Sequence, residues 1–292
     1  MRDRVLAGLP ILAPLALLLG SYEPTPLSPA TLPGHVVDVV ARDFFLQAPD
    51  TIPAGLTTLR LRVLQGDHIA ILVRLDSGYT SLDLLRARRQ GHPRPAWMHL
   101  VGGPGFPAPD GTANATMILA PGHYVLICDV ASPDGVRHFE KGMFHPLVVR
   151  GRTSGPHVVA LLPRPDAVVK MRDHLFAFSG PIRAGVRVLR VTNEGSVMHE
   201  FRMVHVLPGH TGRESMTWTP ANKTPRPDED VTALVGIMPG GELTTTLALK
   251  RGEYVVLCVP QLAHGMIQIL RVASAGYRRA IGNYLPAGRA SR

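Results

Sequence analysis

Cysteine is scarce in this chain: only Cys128 and Cys258 occur among 292 residues. One disulfide is the most such a pair could form. Long apolar runs are equally rare. The only one, Val5 to Gly20, is shorter than the roughly 20 residues of a membrane span and is interrupted by Pro10 and Pro14. No cysteine follows it to take a lipid. Helix-favouring patterns are few, whereas 29 glycines and 27 prolines suit many strands joined by turns. The net charge of +9 comes from scattered residues, the densest cluster being Arg86-Ala87-Arg88-Arg89. No nucleic-acid motif accompanies it. It reads as a solvated basic surface, with an acidic partner or an anionic envelope surface as the other reading.

The chain contains one sequence twice. Pro121-Gly122-His123-Tyr124-Val125-Leu126-Ile127-Cys128 reads against Arg251-Gly252-Glu253-Tyr254-Val255-Val256-Leu257-Cys258. Ala41-Arg42-Asp43-Phe44-Phe45 matches Met171-Arg172-Asp173-His174-Leu175, and Ile52-Pro53-Ala54-Gly55 matches Ile182-Arg183-Ala184-Gly185. A period near 130 residues is too long for a solenoid and suits two tandem domains. The predicted boundaries are 35–151 for the first and 166–273 for the second, joined by a polar linker over 152–165. Residues 274–292 form a basic tail expected to be mobile. Residues 1–34 read as a secretory signal and a Pro-rich connection: Met1-Arg2-Asp3-Arg4 leads into a short apolar core. The other reading is an uncleaved N-terminal anchor. Export to the periplasm or beyond follows from the first, with a mature chain that does not span the membrane.

Within the first copy, Val36 to Val40, Thr58 to Val63, His68 to Leu75, Ala115 to Leu119, His123 to Ile127 and Met143 to Val149 read as strands. Thr58-Leu59-Arg60-Leu61-Arg62-Val63 alternates apolar and basic residues with period two, as a half-buried strand does. A short helix is expected from Thr80, with a Thr or Ser cap. Gly91 to Gly111 reads as a Gly- and Pro-rich loop, and Pro208 to Pro239 as a long connection in the second copy. The remaining strands of that copy are predicted at Ala167 to Met171, Val186 to Val191, His199 to Val206, Leu243 to Leu249, Tyr254 to Leu257 and Met266 to Val272. Short strands with frequent turns predict an all-β chain of two tandem Greek-key β-sandwiches.

Each cysteine has a histidine upstream and a histidine with a Gly-Met pair downstream. The first set is His68, Cys128, His138 and Met143; the second is His199, Cys258, His264 and Met266. One thiolate, two imidazoles and a thioether are the ligands of a blue-copper centre. Any one of these residues alone reads as core filler or a surface histidine; the repeated order favours a metal. Equivalent positions of tandem domains seldom touch, and a disulfide needs Cα atoms within about 7 Å. Two separate thiols are therefore expected.

Both copies resemble the cupredoxin family in its bacterial exported form. The resemblance rests on the opening Ala41-Arg42-Asp43-Phe44-Phe45 to Ala54-Gly55, on Asn193-Glu194-Gly195 to His199-Glu200, and on the Cys-His-Gly-Met closing loops. It covers roughly residues 36 to 272. The first loop, Cys128-x9-His138-x4-Met143, is similar to the type-1 copper loop of two-domain copper nitrite reductases. The resemblance implies type-1 copper as cofactor and the two quartets as ligands. It also implies a redox partner protein in the cell envelope.

Two departures qualify it. Cys258-x5-His264-x1-Met266 leaves a single residue between His and Met, whose side chains point apart on an extended strand. The second centre is therefore expected to be altered or without copper. Family enzymes join two copper centres through a histidine beside the cysteine, but Ile127 and Asp129 flank Cys128, and Leu257 and Val259 flank Cys258. No His-x-His pair is present either. The reading leans away from an enzyme and toward a single-electron carrier. Copper storage or delivery, and a metal-free binding module, are the alternatives.

Overall fold

The computed structural model describes residues 31–90, 94–108, 111–151 and 161–274. The expected signal segment, most of the 152–165 linker and nearly all of the tail lie outside them. The first half contains β1 (His35–Arg42), β2 (Phe45–Gln47), β3 (Thr51–Pro53), β4 (Gly55–Val63), β5 (Ile71–Leu75), α1 (Ser81–Arg89), β6 (Met98–Gly105), β7 (Thr112–Leu119), β8 (Gly122–Ile127) and β9 (Phe144–Arg150). The second half contains β10 (Ala167–Arg172), β11 (Leu175–Phe178), β12 (Gly185–Asn193), β13 (His199–Val206), α2 (Gly212–Thr217), β14 (Asp228–Ile237), β15 (Glu242–Leu249), β16 (Gly252–Leu257) and β17 (Ile267–Val272).

Local chemistry accounts for these elements. In β4 the alternation buries Leu59 and Leu61 and exposes Arg60 and Arg62. Helix α1 starts at a capping box in which Thr80 and Asp83 satisfy each other's backbone N–H groups. Its basic residues fall in the last turn, where the helix dipole favours them. It buries Leu84 and Leu85.

Each half is a Greek-key β-sandwich, and the two halves share both sheets. One sheet runs β11-β10-β12-β15-β7-β4-β1-β2; the other runs β17-β16-β13-β14-β6-β5-β8-β9-β3. By sequence β10, β11, β12 and β15 correspond to β1, β2, β4 and β7. The first sheet therefore reads the same from either end, and so does the second apart from β3. The seam pairs are antiparallel: Pro104 faces Leu234, flanked by Gly105 with Ala233 and Gly103 with Val235. These are repeat-equivalent residues meeting each other, as at a two-fold axis. The other seam holds Thr116 opposite Thr244, and the Asn114 side-chain amide bonds the Thr246 backbone N–H and C=O at 2.9 and 2.8 Å. The buried apolar cluster is likewise continuous, running from Val37 and Leu59 through Leu234 and Leu243.

The structure corrects two sequence expectations. Gly91 to Gly111 is not simply a loop, because it contains β6. Pro208 to Pro239 contains α2 and β14. These two strands form one of the two seams. Gly102, Gly103, Pro104 and Gly105 hide β6 because glycine and proline usually end strands. Here close backbone approach requires glycine. A Cβ on Gly103 would lie 2.0 Å from the carbonyl oxygen of Ala70.

Candidate metal centre

His68 lies just before β5, Cys128 just after β8, and His138 opens a 3-10 turn, His138–Lys141. Gly142, with φ of 104°, ends that turn in the left-handed region, where glycine carries no Cβ penalty. Met143 follows. A ring of backbone bonds closes the loop. Phe139 N donates to Cys128 O at 2.9 Å, Cys128 N to Met143 O at 3.2 Å and Met143 N to His138 O at 3.0 Å. The thiol, the imidazole and the thioether-bearing residue are thus fixed to one another before any metal binds.

The structure brings His68, Cys128 and His138 into one buried group. The two Nδ1 atoms lie 3.2 Å apart, and Cys128 Sγ is 3.7 Å from His68 Nδ1 and 3.5 Å from His138 Nδ1. A trigonal metal with bonds of about 2.0 Å to imidazole and about 2.3 Å to thiolate spaces its donors by about 3.5 to 3.7 Å. The two S···N sides, 3.7 and 3.5 Å, have those dimensions, and the N···N side, 3.2 Å, is somewhat shorter. Met143, five residues after His138, is fully buried.

Burial sets the charge of the free site. Burial pushes the Cys128 thiol up to about 11. Burial also lowers both imidazoles, with His138 adding to the effect on His68 and Lys141 adding to that on His138. The free site is therefore neutral and its nitrogens offer lone pairs. A bound metal would displace the thiol proton.

Residues outside the predicted quartet support this loop. Arg88 holds the Asp129 carboxylate at 3.1 Å, beside Cys128, and its guanidinium lies 5.3 Å from the Phe139 ring centroid. Arg89 donates to Glu140 O at 2.9 Å. Two members of the cluster expected to be a plain solvated surface therefore brace the metal loop. Phe44, with φ of 57°, sets its ring edge-on to His138 with centroids 5.2 Å apart. Asp43 lies 3.9 Å from His68 Nε2.

In the second half the structure brings together only part of the expected quartet. His199 Nδ1 lies 3.6 Å from Cys258 Sγ, and both residues are buried, as is Met266. Glu200 N donates to the same sulfur at 3.3 Å. His199 Nε2 is 3.1 Å from Asp173, which also accepts from Ser196 N and Oγ. His264 is exposed, bonds Gln261 Oε1 through Nδ1 at 3.0 Å, and lies 5.2 Å from the His174 ring.

Backbone bonds explain this placement. Met266 N donates to Gln261 O, and Gly265 N to Leu262 O, just as Met143 N donates to His138 O and Gly142 N to Phe139 O. Gln261 therefore stands where His138 stands, and His264 stands where Lys141 does. The surroundings agree, since Lys141 sits over Phe44 as His264 sits by His174. Counting five residues back from each methionine would have found Gln261 in the sequence.

The two centres lie near the shared seam. Glu200 is pushed up to about 7, first by burial; Arg202 opposes that shift, and Asp129 of the first half adds to it. Both cysteines are free, as their separate positions in the repeat predict.

No family model and no curated protein matches this chain. Similar solved structures include dithionite-reduced auracyanin from Roseiflexus castenholzii (21% identity, 36% of this chain and 94% of that one, TM-score 0.27). A Cu-containing nitrite reductase from Thermus scotoductus is similar at 15% identity, over 81% of this chain and 61% of that one, with TM-score 0.23. A blue copper oxidase from Nitrosomonas europaea is similar at 14% identity, over 82% and 85%, with TM-score 0.23. By its own strand order, each half of this chain is a two-sheet Greek-key β-sandwich.

Proposed function

We propose that this chain is an exported copper protein that carries single electrons through a type-1 centre formed by His68, Cys128, His138 and Met143. The observation that carries this reading is the buried donor triangle of one sulfur and two Nδ1 atoms at 3.2 to 3.7 Å. Copper, when bound, supplies the one-electron couple. The chain's own residues hold the donors in place, exclude water and keep the imidazoles neutral. A preformed site changes little between two oxidation states, which favours fast electron transfer. His138 is the ligand nearest the surface, 9% exposed, with Phe44 beside it. A redox partner protein in the cell envelope would dock there. Export rests on the charged and apolar opening of the sequence. Among the described residues no helix is long and apolar enough to cross a membrane.

The test is a visible spectrum of the copper-loaded chain with metal quantitation. An intense thiolate-to-copper band, lost in Cys128→Ser, is expected. A colourless chain that takes no copper overturns the reading. Cell fractionation tests export: a mature N-terminus between about residues 20 and 36 in the periplasm is expected, and the intact chain in the cytoplasm argues against it.

A further inference from the structure

The second half lacks the second imidazole that a blue Cu(II) plane requires. Gln261 occupies the place of the missing ligand, and its carbonyl oxygen already accepts from His264 Nδ1 at 3.0 Å. What remains on that side of the fold is a thiol, one imidazole and a thioether-bearing residue, Cys258, His199 and Met266, each with 0% exposure. We propose that the second half binds Cu(I) through Cys258, His199 and Met266, at a centre that forms no blue Cu(II) site. The proposal shares with the preceding reading only that the chain handles copper. It does not depend on the first centre.

Three observations carry it. The donor set is soft, and thiolate and thioether ligands select Cu(I). The imidazole is oriented for it: the Asp173 carboxylate, itself fixed by Ser196, lies 3.1 Å from His199 Nε2 and keeps the proton there. That leaves the Nδ1 lone pair directed at Cys258 Sγ, 3.6 Å away. This carboxylate is closer than the corresponding one in the first half, where Asp43 is 3.9 Å from His68 Nε2. Finally, His264 is turned to solvent on the position equivalent to Lys141, so the residue that would restore the Cu(II) plane lies outside the pocket.

The experiment uses the full chain and Cu(I) itself, delivered anaerobically from a coloured chelator whose bleaching reports transfer. Wild type is expected to take two equivalents, and Cys128→Ser and Cys258→Ser one each. Cys128→Ser loaded with Cu(II) should stay without the intense blue band. Adding Gln261→His to Cys128→Ser should then produce that band. Far-UV circular dichroism of each variant checks folding, and Met266→Leu in the Cys128→Ser chain gives an independent readout, a loss of Cu(I) affinity of about tenfold or more.

A folded Cys128→Ser chain that takes no Cu(I) overturns the proposal. So does a blue Cys128→Ser chain, which would mean that His264 reaches the metal. A Gln261→His chain that stays colourless overturns the assignment of residue 261 to the ligand position. Failure of the first-centre reading appears separately, as a Cys258→Ser chain with no blue band.

Discussion

Gln261 and His138 hold the same place in the two halves of this molecule, each offering its backbone oxygen to the methionine five residues on, at 3.3 and 3.0 Å. The turn holds an amide side chain in one half and an imidazole in the other, and on the proposed reading that side chain sets which centre each half forms. His138→Gln should therefore abolish the blue absorption proposed for the copper-loaded first half and leave its fold intact. The check is the visible spectrum beside the thermal unfolding midpoint. A midpoint that collapses with the colour would show that His138 is a structural residue.

Asp173 positions His199, since it accepts at Nε2 and is itself held by Ser196. Asp173→Ala should lower the Cu(I) affinity of the second half by about 10- to 100-fold, the usual effect of losing a carboxylate behind a ligating imidazole. Chelator competition in the Cys128→Ser background measures it. An unchanged affinity would mean that the carboxylate only caps a turn.

The shared sheets predict that the two halves unfold together. Gly103 lies at the seam, and a Cβ there would meet the Ala70 carbonyl oxygen at 2.0 Å. Gly103→Ala should cost about 2 kcal/mol, as overpacking of a close-packed region does. One calorimetric transition, shifted as a whole, is the expected record. Two separate transitions, only one of them shifted, would show that the seam does not couple the halves.

A second polar device lies across the same junction. The Asp230 carboxylate takes bonds from Arg202 at 2.7 and 3.0 Å and from Arg226 at 2.6 Å, and the Arg202 guanidinium rests 3.9 Å from the Phe106 ring centroid of the other half. Burial alone would raise the Asp230 carboxyl, but the two arginines outweigh it and hold it below 3.8. The unfolded chain thus binds this proton at higher pH than the folded one. The resulting stability is complete above that value and is lost as pH falls through the depressed folded value. Asp230→Asn should cost about 2 kcal/mol at neutral pH and progressively less in acid. Urea midpoints at pH 7 and pH 3 test it, and an equal gap at both would refute the electrostatic origin.

Much of the site was legible along the chain because ligand chemistry is written in residue types. Cys128, His138 and Met143 fall on one loop, and the repeat identified His68 and His199 as partners from a distance. Strands such as β4, with its Leu59/Arg60/Leu61/Arg62 alternation, were equally plain. The junction strands were not. In β6, Gly102 to Gly105 serve close packing between backbones, and glycine or proline used in this way cannot be told from a turn by local pattern.

The sequence by itself determined the all-β character and the two separate thiols, and it named His68, Cys128 and His138, which the fold gathers into one buried group, because each depends on residue type and spacing. Tertiary structure alone decided three things. It paired β6 with β14 and β7 with β15, so that two copies became one pair of continuous sheets. It set Arg88 and Arg89 against the Cys128–Met143 loop from a helix upstream, across separations of 41 and 51 residues. It also placed Gln261 rather than His264 at the second centre. The physical reason is common to all three. Each outcome depends on which groups bond in the folded chain: strand to strand at the seams, the Arg88 and Arg89 side chains on the loop, and Met266 N on Gln261 O, the bond that shows the five-residue count from the methionine to be the one that matters.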